Sequence, residues 1–137
     1  MIFKTFSLKA VIEELRPVQW IKNLAIFAAV ILNGQLFNKE LTTKSFFAFV
    51  TFCLLSSSSY IINDLIDIEK DRLHPVKKNR PIARGDVPEY LGSFIAIILL
   101  FLGLSIAIFI GYPFFIISLV FILLQYSYSL FLKKKAI

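Results

Sequence analysis

Four oxygen-bearing side chains follow the second apolar stretch of the chain: Asn63, Asp64, Asp67 and Asp71. On an α-helix, at about 100° per residue, Asp67, Asp71 and Asp64 lie about 40°, 80° and 100° round from the asparagine. All four therefore share one quarter of the helix surface. Closely spaced carboxylates repel one another unless a cation holds them, and Mg²⁺ commonly binds one or two carboxylates together with substrate phosphates. The pattern predicts a magnesium-bridged pyrophosphate at the membrane surface. The alternative is a solvated helix end whose acids pair with nearby basic residues.

A basic loop rich in turn residues comes immediately after this acidic face. Its cations suit a polyanion held jointly by a metal and basic side chains. The alternative is that they only mark the side of the membrane on which the loop lies. The sole histidine, His74, precedes Pro75, which disfavours helix there. We therefore predict a loop or helix-end role for it rather than a catalytic one. The loop cations are Lys77, Lys78, Arg80 and Arg84.

The elements that carry these residues are apolar enough to lie in a membrane. Hydrophobic residues make up 58% of the 137 residues, with 15 phenylalanines and a mean hydropathy of +0.77. Four segments approach or reach the roughly 20 residues that span a bilayer core. We predict an all-α integral membrane bundle of four transmembrane helices, forming a single domain over residues 1–137. The segments are Ile21–Phe37, Phe46–Ile62, Tyr90–Ile110 and Phe114–Leu132.

Two flanking regions complete the predicted organisation. Residues 1–20 are amphipathic, which favours an interfacial helix ahead of the first span. The second span is predicted to continue as helix to about Leu73. Residues 63–89 then form the cytoplasmic motif and basic loop.

The basic residues predict the orientation. With four spans, one side of the membrane holds 13 of the 15 lysines and arginines, and the other holds only Lys39 and Lys44. The positive-inside rule places the richer side, with the N-terminus and the motif loop, in the cytoplasm. The net charge of +6 is thus mainly topological, and it gives no reason to expect a nucleic-acid partner.

Short motifs in these regions resemble a known family of membrane enzymes. The pattern NDLIDIEKD at residues 63–71, followed by Asn79-Arg80-Pro81 and Gly85, resembles the first aspartate-rich motif of the UbiA-type intramembrane prenyltransferase superfamily. The segments LRPVQWIKN (15–23) and LHPVK (73–77) are similar to its branch of decaprenyl-phosphate phosphoribosyltransferases. The resemblance covers nearly all of the chain but only about half of the family's fold, which has about nine transmembrane helices around a central cavity.

The resemblance implies a Mg²⁺-dependent transferase of the bacterial plasma membrane. Its reaction would move 5-phosphoribose from phosphoribosyl pyrophosphate to a polyprenyl (decaprenyl) phosphate, for the synthesis of cell-wall arabinan precursors. Asp67 and Asp71 are the implied catalytic residues. The implied metal ligands are Asn63, Asp64, Asp67 and Asp71, and the implied phosphate or substrate contacts are Arg16, Lys22, Tyr60, Lys77 and Arg80.

Two other functions stay open on the sequence. A prenyltransferase that moves an isoprenoid from its diphosphate to an aromatic or quinone-type acceptor needs the same carboxylate, metal and pyrophosphate site. An inactive, truncated four-helix membrane protein is also possible, because the family's second aspartate-rich motif does not occur in these 137 residues. An active enzyme would then need a second chain, or a C-terminal half, to supply that motif.

Overall fold

The computed structural model describes residues 7–132, which are mostly helical and contain no strand in that range. Helix α1 leads into a 3₁₀ helix that runs without a gap into α2. A long helix, α3, is followed by the short α4 and a 3₁₀ turn, and then by α5 and α6. The bounds are α1 Leu8–Leu15, the first 3₁₀ helix Pro17–Ala25, α2 Ile26–Leu32, α3 Lys39–Ile66, α4 Ile68–Leu73, the 3₁₀ turn Lys77–Asn79, α5 Glu89–Ile110, α6 Tyr112–Ser127 and a final π-helical turn Tyr128–Leu132.

Four helical stretches within this range are long and apolar enough to cross a membrane. The prediction of an all-α membrane bundle with four spans is therefore confirmed. The second stretch is the central one, because half of its apolar window is buried, against 17% for each of the last two. The stretches are Leu8–Leu32, Lys39–Ile66, Glu89–Ile110 and Tyr112–Phe131.

The first apolar helical stretch, Leu8–Leu32, differs at both ends from the predicted Ile21–Phe37. This stretch includes α1, which ends at Leu15 where Arg16 takes a left-handed conformation (φ 53°, ψ 59°), and the 3₁₀ helix that follows directly. Pro17 then occupies the first position of the 3₁₀ helix, where its missing N–H costs nothing. The span stops at Leu32, before a turn in which Gly34 has φ +67°. Of the predicted interfacial segment, residues 1–6 lie outside the described range.

The central helix begins earlier than its apolar run. The side chain of Asn38 caps it by accepting a hydrogen bond from the Leu41 backbone N–H at 3.2 Å. Helix continues to Leu73, as predicted, with one break at Asp67 (φ −94°, ψ 11°) between α3 and α4. The break leaves Asp67 at the end of one helix and the start of the next.

Small residues let α3 and α5 approach closely. A Cβ added at Gly103 would lie 2.8 Å from Cδ2 of Leu55, whose side chain is fully buried. The Ser58 hydroxyl donates a 2.8 Å hydrogen bond to the Ala96 carbonyl on α5. Small residues and short polar links of this kind are typical of helix pairs in membranes.

The basic loop is folded back against the helices. Ile82 and Val87 are each 1% exposed and pack in one apolar cluster with Ala10 of α1, Ile61 of α3 and Ala96 of α5. The loop is thereby held beside the ends of α1 and α3. This anchoring positions the arginines that flank Ile82.

Candidate functional site

A buried carboxylate, Asp64, joins two arginines from distant parts of the chain. Nη2 of Arg16 donates to its Oδ1 and Oδ2 at 2.7 and 2.8 Å, and Nη1 of Arg80 donates to Oδ1 at 3.1 Å. Asp64 is 1% exposed, whereas the arginine side chains are 25% and 27% exposed. The planar guanidinium suits such fixed contacts with a carboxylate better than an ammonium would.

Asp71 lies on the same helix face and shares Arg80. Its Oδ2 accepts from the same Nη1 at 3.1 Å, and its side chain is also buried. Residues seven apart on a helix face the same way. The predicted proximity of Asp64 and Asp71 is therefore observed, although an arginine lies between them in this structure.

Arg16 contacts two groups on α3 that lie one turn apart. Its guanidinium carbon lies 4.9 Å from the ring centroid of Tyr60, a cation–π distance, while its Nη2 binds Asp64. The left-handed backbone at Arg16 is unusual for a residue with a side chain. Backbone strain of this kind concentrates at functional positions.

The larger of two cavities at this end of the bundle has a volume of about 630 Å³. It is open to the surface and lies between the end of α1 and the basic loop. Arg16, Lys77 and Arg80 contribute its cations, and Asp64 forms part of its wall. Three of the five predicted phosphate contacts, Arg16, Lys77 and Arg80, therefore line this cavity. The other two are Lys22 and Tyr60. The wall is completed by Glu13, Glu14, His74, Val76, Asn79 and Pro81.

The other two predicted contacts line a second, smaller cavity of about 250 Å³. Tyr60 reaches it from α3 and Lys22 from the 3₁₀ helix, so the structure divides the predicted phosphate contacts between two spaces. The Arg16–Tyr60 pair stands between these spaces, since Arg16 lines the first and Tyr60 the second. The remaining walls are Gln19, Asn23, Ser56, Ser59, Phe121 and Gln125.

Two basic residues near the site have structural partners. Arg84 donates to both carboxylate oxygens of Glu13, at 3.2 and 3.0 Å, and to Asp86 at 2.6 Å. These hydrogen bonds, which Arg84 donates to Glu13 and Asp86, raise the pKa of Arg84 above its usual range. Nε of Arg72 donates to the Ala83 carbonyl at 3.0 Å. Both side chains therefore fix the loop rather than line the cavities. His74 is a loop residue, as predicted, and its Nδ1 accepts two backbone N–H groups.

Sequence reasoning missed Glu14 and Gln125. Glu14 is 2% exposed, and neither of its carboxylate oxygens has a hydrogen-bond partner within residues 7–132. Its neighbours include Asp64 and Arg16. The burial could not be anticipated, because Glu14 reads as part of a charged amphipathic segment until α1 is seen to pack on α3. Gln125 lies in an otherwise apolar run, and such an isolated polar residue is the one signal that could have indicated it.

The residue types on the acidic face fit Mg²⁺ as a partial ligand set. Asn63 and Asp67 offer amide and carboxylate oxygens one turn apart and are half-buried, and Asp71 follows one turn later. Within the described range, no three His, Cys, Asp or Glu side chains come together to hold a metal ion. Mg²⁺ usually keeps few protein ligands and completes its shell with water and phosphate oxygens. Asp64, the fourth predicted ligand, already has both oxygens bonded to arginine.

Residues 24–137 match the family model described as the UbiA prenyltransferase family. The chain belongs to this family. It is an integral membrane protein with four helices able to span the bilayer, as the family relationship and the helix lengths together support. The sequence resemblance to the family is thereby confirmed.

Among the relatives of this UbiA-family chain are two decaprenyl-phosphate phosphoribosyltransferases. That of Mycolicibacterium smegmatis is 40% identical over 130 residues, which are 92% of this chain and 41% of the relative. That of Corynebacterium glutamicum is 40% identical over 121 residues, 85% of this chain and 36% of the relative. A digeranylgeranylglyceryl phosphate synthase of Sulfurisphaera tokodaii is 29% identical over 132 residues, 96% of this chain and 46% of the relative. The chain thus spans less than half the length of each.

Proposed function

We propose that these residues form the donor-binding part of a transferase that moves 5-phosphoribose from phosphoribosyl pyrophosphate to a polyprenyl phosphate. The observation that carries the proposal is the open 630 Å³ cavity where Arg16, Lys77 and Arg80 converge beside the acidic face. The names of the relatives at 40% identity support the donor and acceptor. A role in supplying cell-wall arabinan precursors belongs to the same proposal.

The basic residues of the larger cavity would bind the pyrophosphate group. Lys77 is exposed at its rim and is a mobile point charge for phosphate oxygens. Arg16 and Arg80 each have guanidinium nitrogens beyond those that bind aspartate, and these can donate to further oxygens. Both arginines are held in place by Asp64, so little rotamer entropy is lost when the anion binds.

The acidic face would act on the leaving group. Asn63 and Asp67, with Asp71, would hold Mg²⁺, and the ion when bound would neutralise charge on the departing pyrophosphate. The bond from ribose C1 to the pyrophosphate oxygen breaks, and pyrophosphate leaves with the bonding electron pair. A phosphate oxygen of the polyprenyl phosphate forms the new bond to C1. No nucleophilic side chain is required.

Prenyl transfer from an isoprenoid diphosphate is the second candidate. It uses the same pyrophosphate site, and the relative named digeranylgeranylglyceryl phosphate synthase favours it. The lower identity of that relative, 29% against 40%, places this candidate second.

The test is magnesium-dependent binding of phosphoribosyl pyrophosphate to the chain in lipid nanodiscs, with Asp67→Ala as the variant. We expect the wild type to bind only with Mg²⁺ and the variant to lose at least about tenfold in affinity, because a carboxylate ligand is removed. Glu69→Ala is the matched control: this acid is exposed and lies two residues away on the opposite side of the helix.

Three outcomes would contradict the proposal. If phosphoribosyl pyrophosphate binds equally well without Mg²⁺, the metal has no part in binding. If Asp67→Ala and Glu69→Ala lose equal affinity, Asp67 has no specific role. Tighter binding of a prenyl diphosphate than of phosphoribosyl pyrophosphate would favour the second candidate. Product analysis with each donor then separates the two reactions.

The site is proposed to face the cytoplasm of a bacterial cell, where soluble phosphorylated donors and Mg²⁺ occur. The asymmetry of lysine and arginine supports this orientation. Since the chain spans less than half of each relative, we include in the proposal a further segment or second chain that completes the substrate cavity.

A further inference from the structure

The smaller cavity is polar although it lies among membrane-spanning helices. Its walls come from the 3₁₀ helix, α3 and α6, and most of the lining side chains carry an amide, a hydroxyl or an ammonium group. Polar groups within a membrane bundle are costly unless they are paired or serve a ligand. The side chains of Gln19, Lys22 and Gln125 make no hydrogen bond within the described part of the chain.

The 3₁₀ geometry directs Gln19 and Lys22 into this cavity. Side chains three residues apart eclipse one another in a 3₁₀ helix, so these two share one face. The pair Trp20 and Asn23 occupies the neighbouring face. Trp20 Nε1 donates to the Ser57 hydroxyl at 2.9 Å, and Asn23 Nδ2 lies 3.6 Å from the Cys53 sulfur. The face with Trp20 and Asn23 is therefore anchored to α3, although Asn23 also borders the cavity, and the face with Gln19 and Lys22 lines the space.

Aromatic contacts fix the opposite wall. Phe121 of α6 packs edge-on against Phe52 of α3 with ring centroids 5.0 Å apart, one turn before Gln125. The next residue, Tyr126, has its hydroxyl 3.2 Å from that of Ser58. Gln125 is thus held between two contacts to the central helix. Its amide lines the cavity in a position set by packing.

The volume and the chemistry together indicate the class of ligand. About 250 Å³ equals the space of roughly eight water molecules at about 30 Å³ each, which is small for a polyprenyl chain. Amide groups both donate and accept hydrogen bonds, as sugar hydroxyls require, and a single ammonium suits one phosphate. An isoprenoid placed here would leave the half-buried amides of Gln19 and Gln125 without hydrogen-bond partners.

We infer that this cavity binds the phosphorylated sugar of the donor. Gln19 and Gln125 would bind the sugar hydroxyls, and Lys22 would bind the 5-phosphate. The inference rests on the proposed function and gives the residues that select a sugar donor over a prenyl donor. Arg16 lines the larger cavity, Tyr60 lines the smaller one, and the two side chains are in contact, so one molecule would extend from the sugar pocket past this pair to the pyrophosphate cavity.

The experiment compares Gln125→Leu with wild type by calorimetry in nanodiscs, using three probes: ribose 5-phosphate, inorganic pyrophosphate and phosphoribosyl pyrophosphate. We expect the variant to bind ribose 5-phosphate and phosphoribosyl pyrophosphate about tenfold more weakly, because one hydrogen-bonding amide is lost. Pyrophosphate binding should stay within about twofold. Gln35→Leu is the matched control, since it removes an exposed amide from the turn between α2 and α3.

Gln19→Leu tests the opposite wall and provides a second variant if Gln125→Leu does not fold. An equal loss for pyrophosphate and ribose 5-phosphate, or no loss for ribose 5-phosphate in either variant, would overturn the inference. If wild type binds ribose 5-phosphate but not pyrophosphate, and Gln125→Leu removes that binding, the sugar pocket stands and the transferase proposal fails. If pyrophosphate binds and ribose 5-phosphate does not, the sugar pocket fails alone.

Discussion

At the scale of single residues, the two arginines of the site are already paired with carboxylates before any substrate arrives. Arg16 and Arg80 carry two positive charges, and Asp64 and Asp71 carry two negative charges. The excess positive charge that attracts a polyanion must then come from residues outside this cluster, chiefly Lys77 and Lys22. The cluster itself provides fixed donors, because its arginines are already oriented.

Removing the negative charge of Asp64 should destabilise the fold. We expect Asp64→Asn to lower the free energy of unfolding by about 3 kcal/mol, because two partly buried guanidiniums lose their shared counter-charge. The measurement is thermal or denaturant unfolding in a mild detergent.

Asp86→Asn is the control for Asp64→Asn. Asp86 also binds an arginine, Arg84, but this pair is more exposed: the Arg84 side chain is 33% exposed and the Asp86 side chain 39%. Exposed ion pairs contribute about 1 kcal/mol or less. If both variants lose the same free energy of unfolding, Asp64 contributes no more to stability than an exposed acid does.

At the scale of helices, the packing of α3 on α5 depends on the absence of a side chain at Gly103. We expect Gly103→Ala to destabilise the fold by about 1–3 kcal/mol, because the added methyl group would lie 2.8 Å from the buried Leu55 side chain. Unfolding in detergent, followed by circular dichroism, measures the change.

Ser105→Thr is the matched comparison for the glycine, since it adds one methyl group at an exposed position of the same helix. We expect it to change stability by less than about 0.5 kcal/mol. A loss in Ser105→Thr as large as in Gly103→Ala would show that the loss is not specific to the close contact between α3 and α5. Helix propensity would favour Gly103→Ala, because alanine is a better helix former than glycine.

The sequence predicted helices better than it predicted how they end. Apolar length alone gave four spans, and 100° periodicity correctly brought Asp64 and Asp71 together. It did not give the left-handed turn at Arg16 or the nine-residue 3₁₀ helix that follows. Those features depend on contacts with α3, some 30 to 48 residues away along the chain, which a local pattern cannot contain.

The residues predicted to contact phosphate line cavities in the structure, but the sequence did not indicate that they divide between two of them. Arg16, Lys77 and Arg80 share one cavity, while Lys22 and Tyr60 line another, a separation that arises from the 3₁₀ face. Gln125 entered only through the packing of α6. Its isolation in an apolar run is a signal in the sequence, but the sequence alone does not show that this face of α6 meets a cavity.

At the scale of the whole molecule, the orientation in the membrane is a prediction open to chemical labelling. In a Cys53→Ser background, we expect Lys39→Cys to react with an impermeant maleimide from outside intact cells and Lys78→Cys to react only after permeabilisation. Both lysines are exposed. Lys39 is the first residue of α3, and Lys78 lies in the basic loop beyond the other end of that helix. The side with more basic residues should face the cytoplasm.

The labelling has an internal control, because each cysteine must react fully once the membrane is opened. A reversed pattern would place the pyrophosphate cavity outside the cell, away from soluble phosphorylated donors. Labelling of both residues from one side would instead contradict the four-span arrangement.

The partners of Asp64 also set a sequence of events during synthesis. One of its arginines precedes it by 48 residues and the other follows it by 16. As the ribosome delivers the chain, Arg16 is already available when Asp64 emerges, whereas Arg80 arrives later. A nascent chain therefore enters the membrane with its acidic helix end neutralised on one side only. Insertion factors that handle this intermediate would meet Asp64 paired with Arg16 alone. The ion pair with Arg80 would form once the basic loop has been translated.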